Sequence, residues 1–152
     1  MTISKPFAVV FGLDGCLADA SHREQKAYVR KGNKYGIDME IYFQDTITDP
    51  VKNHIRVMLL GLQKLHGTAL TTIICTERPG TLAKDTKDWL SRQGIEHTLL
   101  MREPEDLRSD SGFKVEKILQ LNENYNLLMV VDVDDEVAKA CHKNNISFIR
   151  VY

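Results

Sequence analysis

The chain has 152 residues, 43% of them hydrophobic, and a formal net charge of −1. That size and composition suit one domain with a core large enough to be stable without disulfides or a structural metal, and the charge balance argues against a generally nucleic-acid-binding or membrane-surface protein while leaving room for local patches. Three widely spaced cysteines, Cys16, Cys75 and Cys141, suit a reducing compartment, and no Cys-x-x-Cys zinc spacing occurs.

The N-terminal stretch lacks a charged region followed by a long apolar run, so neither a signal peptide nor a membrane span is expected, and the expected location is cytoplasmic. Residues 7–11 form an apolar run too short for a buried helix and right for a buried parallel strand, which breaks at residues 12–15. In open α/β sheets ligands sit beyond the carboxyl ends of the strands, so Gly12, Asp14, Gly15 and Cys16 are expected on a pocket floor.

Residues 20–31 read as a helix carrying Arg23, Lys26 and Arg30, with Lys34 beyond, on one face; this stripe is either a solvated face or one turned to phosphate. Residues 32–45 are the least periodic part of the chain and read as a cap or loop insertion. Asp49-Pro50 reads as a helix start, with Asp49 as cap, followed by Ile55, Met58, Leu59, Leu62 and Leu65 at helical spacing and a stop at Gly67.

Residues 69–75 are predicted as the second strand and residues 81–92 as a helix, with Leu82, Trp89 and Leu90 inward and Gly94 as its stop. A short strand over 97–101 and a charged loop over 102–112 lead to a helix over 113–121 with Val115, Ile118 and Leu119 inward. A strand over 127–131, a helix over 134–144 and a strand over 147–151 close the chain. This alternation implies a parallel sheet covered on both faces.

The opening stretch, Phe-Ala-Val-Val-Phe-Gly-Leu-Asp-Gly-Cys, resembles motif I of the haloacid dehalogenase (HAD) phosphohydrolases, in which four apolar residues precede Asp-x-Asp-Gly-Thr. Thr76, Lys114 and Asp132 match motifs II, III and IV in the right order. Within that superfamily the chain looks most like the 3′-phosphatase domain of polynucleotide kinase-phosphatases. Leu-Ala-Asp-Ala-Ser-His-Arg at 17–23, Thr-Glu-Arg-Pro at 76–79 and Leu-Met-Arg-Glu-Pro-Glu-Asp at 100–106 carry this closer likeness. No Gly-x-x-x-x-Gly-Lys-Ser/Thr loop of a kinase half occurs.

The resemblance implies a HAD-like Rossmannoid α/β three-layer sandwich with a five-stranded, mainly parallel sheet and a small cap at about 20–48. It places an acid/base at Asp14, a phosphoryl-binding hydroxyl at Thr76, charge neutralisation at Lys114 and an acidic ligand at Asp132. It puts substrate contacts at Gly15, His22, Arg23, Arg78 and Arg102, and Mg²⁺ between Asp14 and Asp132. The departures run against catalysis: the nucleophile position is Gly12, the motif I Thr is Cys16, the motif II Gly is Glu77, and a metal-ligand position of motif IV is Val133.

Removing a nucleophile that acts within a catalytic unit costs on the order of 10⁶ in rate. No Cys-x₅-Arg loop surrounds Cys16 to replace it. With two carboxylates gone and Lys114, Thr76 and Arg78 kept, the floor is expected to repel an anion less. The expectation is therefore a pseudophosphatase that binds a phosphorylated ligand, a nucleic-acid end or a protein partner, with no cofactor and no membrane contact. A residual Mg²⁺-dependent phosphatase acting on nucleotide or polynucleotide 3′-phosphates and a pure protein-interaction module are the alternatives.

Overall fold

The computed structural model describes residues 4–152; residues 1–3, part of the N-terminal stretch read above for a leader, lie outside the described residues. Strand β1 (Phe7–Phe11) sits at the centre of a five-stranded parallel sheet, between β4 (Leu70–Pro79) and β6 (Asn126–Asp132), with β5 (Thr98–Arg102) and β7 (Phe148–Arg150) at the edges. All of β1 after Phe7 is buried. A central parallel strand is covered on both faces, which is why its sequence is uniformly apolar rather than alternating.

Successive β1 side chains feed two cores. Val9 and Phe11 pack with Ile55 and Leu59 of α3 (Asn53–His66) and with Trp89 and Leu90 of α4 (Ala83–Arg92). Ala8 and Val10 pack with Phe113 and Ile118 of α5 (Asp110–Asn124) and with Val137 and Cys141 of α6 (Asp135–Lys143). The result is three layers, helix pair on sheet on helix pair. Leu65, expected in the α3 core stripe, is 76% exposed, since six residues carry it about 120° around the helix from buried Leu59.

The largest departure from expectation lies after β1. The helix predicted over 20–31 ends early: α1 spans Ser21–Ala27, and the chain turns into an antiparallel hairpin of β2 (Tyr28–Lys31) and β3 (Lys34–Ile37), followed by α2 (Met39–Tyr42). Gly32 holds a φ of +62° at the first central position of the two-residue turn, a conformation that favours glycine. The predicted basic stripe therefore does not exist as one helix face. Arg23 is buried on α1, while Arg30 and Lys34 stand exposed on opposite strands of the hairpin.

The Asp49 helix cap is likewise corrected. Helix α3 begins at Asn53 after Lys52, and the Asp49 side chain is buried elsewhere. Strand β4 also runs four residues further than predicted, through Glu77 and Arg78 to Pro79, with an irregular register against β5 between Thr76 and Pro79.

Candidate functional site

Chain connections lead from β1 to β4 and β5 on one side and to β6 and β7 on the other, so the carboxyl ends of β1 and β6 flank the topological switch point where α/β folds bind ligands. Gly12 follows β1 there, its N–H donating to the Val131 carbonyl at 2.9 Å. A β-carbon added at Gly12 would stand 2.5 Å from Asp132 Oδ2 and 2.8 Å from its Cγ. The Asp132 carboxylate fills the volume that a side chain at position 12 would need.

Backbone and lysine donors hold Asp132 in place. Its Oδ1 accepts from the Val133 and Asp134 N–H groups, at 2.6 and 3.2 Å, and from Lys114 Nζ at 3.2 Å. Lys114 is itself only 3% exposed and lies 3.2 Å from Glu77 Oε2 as well. Burial pulls its pKa down, but Glu77 and Asp132 outweigh that and raise it, so the ammonium is permanently charged and already shared by two carboxylates. Burial also pushes the Glu77 carboxyl upward, Lys114 opposes this and the nearby Asp14 charge adds to it; the net shift is up.

Asp14 belongs to a second buried cluster. Its Oδ1 accepts from Arg23 Nη2 and Arg78 Nη2, each at 2.6 Å, and Oδ2 accepts from Arg78 Nε at 3.0 Å. Asp49 completes the square, bonding Arg23 Nε at 2.7 Å and Arg78 Nη2 at 2.9 Å. Arg23 further donates to the Tyr42 carbonyl and lies over the Tyr42 ring, and Trp89 Nε1 fixes the Asp49 backbone carbonyl at 2.8 Å. Burial would raise the Asp14 pKa, yet the Arg78 and Arg23 interactions overcome it and hold the carboxyl below the usual range. A carboxylate so held is a poor proton donor.

Over this floor lies a pocket of about 430 Å³ whose lining includes Asp14, Asp19, Glu24, Glu77 and Asp110, with Lys52 as the one cation. The expected gain in anion tolerance is thus corrected: Glu77 returns an acidic group to the floor, and three further acidic side chains, Asp19, Glu24 and Asp110, line the pocket. A larger groove of about 740 Å³ between α5 and α6 lies away from the switch point and carries none of the motif positions matched above.

Gly15, with a φ of +78°, lines the pocket beside Asp14. Thr76 is fully buried, its Oγ1 accepting from the Arg78 N–H at 3.2 Å. Arg23 and Arg78 face carboxylates rather than the pocket. His22 Nε2 stands 3.5 Å from Asp49, and Arg102 pairs with Asp110 at 2.6 Å at the end of β5. Cys16 is not on the pocket floor; it is wholly buried with Sγ 3.4 Å from the Val131 carbonyl, and burial raises its pKa. Burial likewise pushes the Cys75 thiol up to about 12.

Asp49 is the site residue that the sequence motifs missed. Its signal, an Asp before Pro, is the same one that marks a helix cap.

The donor set does not fit Mg²⁺, which takes hard oxygen ligands around an octahedron. Gly12 has no side chain and Val133 no oxygen, Asp14 is held by two arginines, and Asp132 is held by Lys114 and two backbone N–H groups. Among the described residues, no group of three His, Cys, Asp or Glu side chains could hold a metal ion.

A parallel sheet of this order, with an Asp-bearing loop after its first strand, a hydroxyl in the second, a helix-borne lysine and an aspartate ending the fourth, defines a HAD-type phosphatase fold. The chain belongs to the family described as the phosphatase domain of polynucleotide kinase PNKP, whose model matches residues 6–152. No curated protein matches it in sequence.

Among solved structures it is similar to a chain of the Pnkp1/Rnl/Hen1 complex, with a TM-score of 0.74 and 19% identity over 97% of this chain and 45% of that one. The class C acid phosphatase of Bacillus anthracis with tungstate bound gives a TM-score of 0.66 and 15% identity over 98% of this chain and 67% of that one. The HAD domain of the Legionella pneumophila effector Lem4, an inactive mutant, gives 0.54 and 14% over 97% and 86%. At these identities the likenesses concern the fold. The chain spans less than half the length of the Pnkp1 complex chain it matches. Among the described residues, no helix is long and apolar enough to cross a membrane.

Proposed function

We propose that this chain is a pseudophosphatase, a family member that acts by binding and does not hydrolyse phosphate esters. The observation that carries this reading is the Asp132 carboxylate, lying 2.5 Å from where a nucleophile's β-carbon would be. Every other group that a phosphoryl transfer would call on has a competing engagement: Lys114 with Glu77 and Asp132, and Asp14 with Arg23 and Arg78. Mg²⁺ has too few free oxygens to bind tightly, so no cofactor is needed.

Displacing an internal carboxylate from buried Lys114 would be the entry requirement for any phosphorylated ligand, and the acidic pocket mouth adds repulsion. A partner that binds the outer surface of the molecule meets neither obstacle. Structural neighbours occur in an RNA repair complex, which is consistent with a role inside an assembly.

The test is a phosphatase assay in Mg²⁺ on a generic aryl phosphate and on a 3′-phosphorylated oligonucleotide. The expected result is no turnover above background on either. Turnover that disappears in Asp14→Ala would overturn the proposal and establish a residual phosphatase.

A further inference from the structure

Two surface features at the same end of the sheet carry opposite charge. The β2–β3 hairpin follows β1, and residues 26–38 hold Lys26, Arg30, Lys31 and Lys34, all exposed, against Asp38 as the one carboxylate. Arg30 has only the Gly32 carbonyl as partner among the described residues. Tyr28 and Tyr35, 59% and 64% exposed, stack with ring centroids 5.7 Å apart. Beside Tyr28 lies a hollow of about 460 Å³ lined by Ser21, Glu24, Gln25, Tyr28 and Ile37.

The loop from β5 to α5 is the counterpart. Residues 103–107, Glu-Pro-Glu-Asp-Leu, carry three carboxylates and no cation, and Leu107 at their end is 94% exposed. The loop is braced. The Asp106 N–H donates to the Glu103 carbonyl at 3.0 Å, Arg108 Nε to Asp106 Oδ1 at 2.9 Å, and Arg102 Nη1 to the Arg108 carbonyl at 3.0 Å. Arg108 occupies Asp106, which leaves Glu103 and Glu105 exposed and without an ion-pair partner among the described residues. A leucine presented on a braced loop is a preformed anchor, because little conformational freedom remains to be lost on binding.

We infer that the hairpin is a docking surface for residues 103–107 of a second copy of this chain, with two such contacts related by a twofold axis. A twofold interface is self-complementary, so a positive and a negative patch on each protomer are what it needs. Both patches lie at the carboxyl ends of the parallel strands, one after β1 and one after β5. Arg30 and Lys34 meet Glu103 and Glu105 of the second copy, and its Leu107 enters the hollow beside Tyr28. Tyrosine and arginine around an apolar anchor are the composition of a binding hot spot.

An unrelated acidic ligand would match the hairpin but leave Leu107 in water. The lining of the HAD pocket includes Ile37 and Met39 next to the hairpin and Asp110 next to the loop, so the dimer closes over the pocket mouth. The contact does not depend on whether that pocket is catalytic.

The experiment is sedimentation velocity on the nuclease-treated full chain across protein concentration and salt. A monomer–dimer equilibrium that weakens with salt is expected. Arg30→Glu/Lys34→Glu and Glu103→Lys/Glu105→Lys should each weaken it by about tenfold or more, and Leu107→Ser by about tenfold. An equimolar mixture of the two charge-reversed variants should dimerise again, because each mixed contact rejoins opposite charges, and that recovery also shows both to be folded. A monomer at every concentration in low salt would overturn the inference, as would a dimer that none of these variants weakens. A mixture that stays monomeric, or open-ended oligomers that grow with concentration, would overturn it too. Association that appears only on adding an oligonucleotide would overturn it in favour of nucleic acid.

Discussion

Arg23 and Arg30 lie seven residues apart and meet opposite fates, and the regions they belong to differ in the same way. Arg23 is 1% exposed and divides its guanidinium between Asp14, Asp49 and the Tyr42 carbonyl; Arg30 is exposed on a short strand. At the switch point, buried charge is matched within the protein, with two arginines facing two aspartates and one lysine facing two carboxylates. On the hairpin, cations and aromatic rings stand in solvent. A charge in a buried network is held by its neighbours and offers little to a ligand, whereas a solvated charge can exchange water for a partner. The charges at the switch point are thus engaged within the protein, while those of the hairpin beside it are open to solvent.

The comparison breaks most visibly on stability. Asp49→Ala leaves Arg23 and Arg78 sharing one carboxylate, and breaking a buried pair in this way costs about 3–5 kcal/mol. Chemical denaturation should show that loss.

A smaller, pH-dependent effect sharpens the same point. The Asp14 carboxyl is held below its ordinary value of 3.8, so its contribution to stability is present above that value and is lost as pH falls through the lowered one. The stability gap between the natural chain and Asp14→Asn should therefore shrink on acidification below that value. Glu77 runs the other way. Its carboxyl is raised above 4.5, so the stability tied to its protonated form is present below 4.5 and fades as pH rises through the raised value. Glu77→Gln should remove that decline, which pH-resolved thermal melts would show. The smallest effect belongs to the hairpin: Arg30→Ala or Lys34→Ala should change stability by no more than about 0.5 kcal/mol, as expected for an exposed side chain.

The fold was legible because its central strands are buried on both faces and read as unbroken apolar runs: Val9 to Phe11, Ile73 to Cys75, Val130 and Val131. That position 12 carries no side chain and position 133 no oxygen was legible as well, since side-chain chemistry is read directly from the sequence. Two things were hidden. The hairpin carried its own signals, Gly32-Asn33 between β-favouring residues, but the three- and four-residue spacing of its cations imitated a helix face. The partners of Lys114 were hidden for a different reason. That Glu77 meets it from β4 depends on packing across the sheet, which no local pattern encodes.

The most direct test of the central claim is a Mg²⁺ phosphatase assay on the natural chain beside Gly12→Asp/Glu77→Gly/Val133→Asp. These substitutions restore a nucleophile, free Lys114 of one carboxylate and return a metal-ligand oxygen. Because a side chain at position 12 displaces Asp132, the change at Gly12 alone should do little. Turnover in the triple variant with none in the natural chain is the predicted result. Equal turnover in the two would contradict the account, because it would mean that the internally matched charges of the pocket had never stood in the way of catalysis.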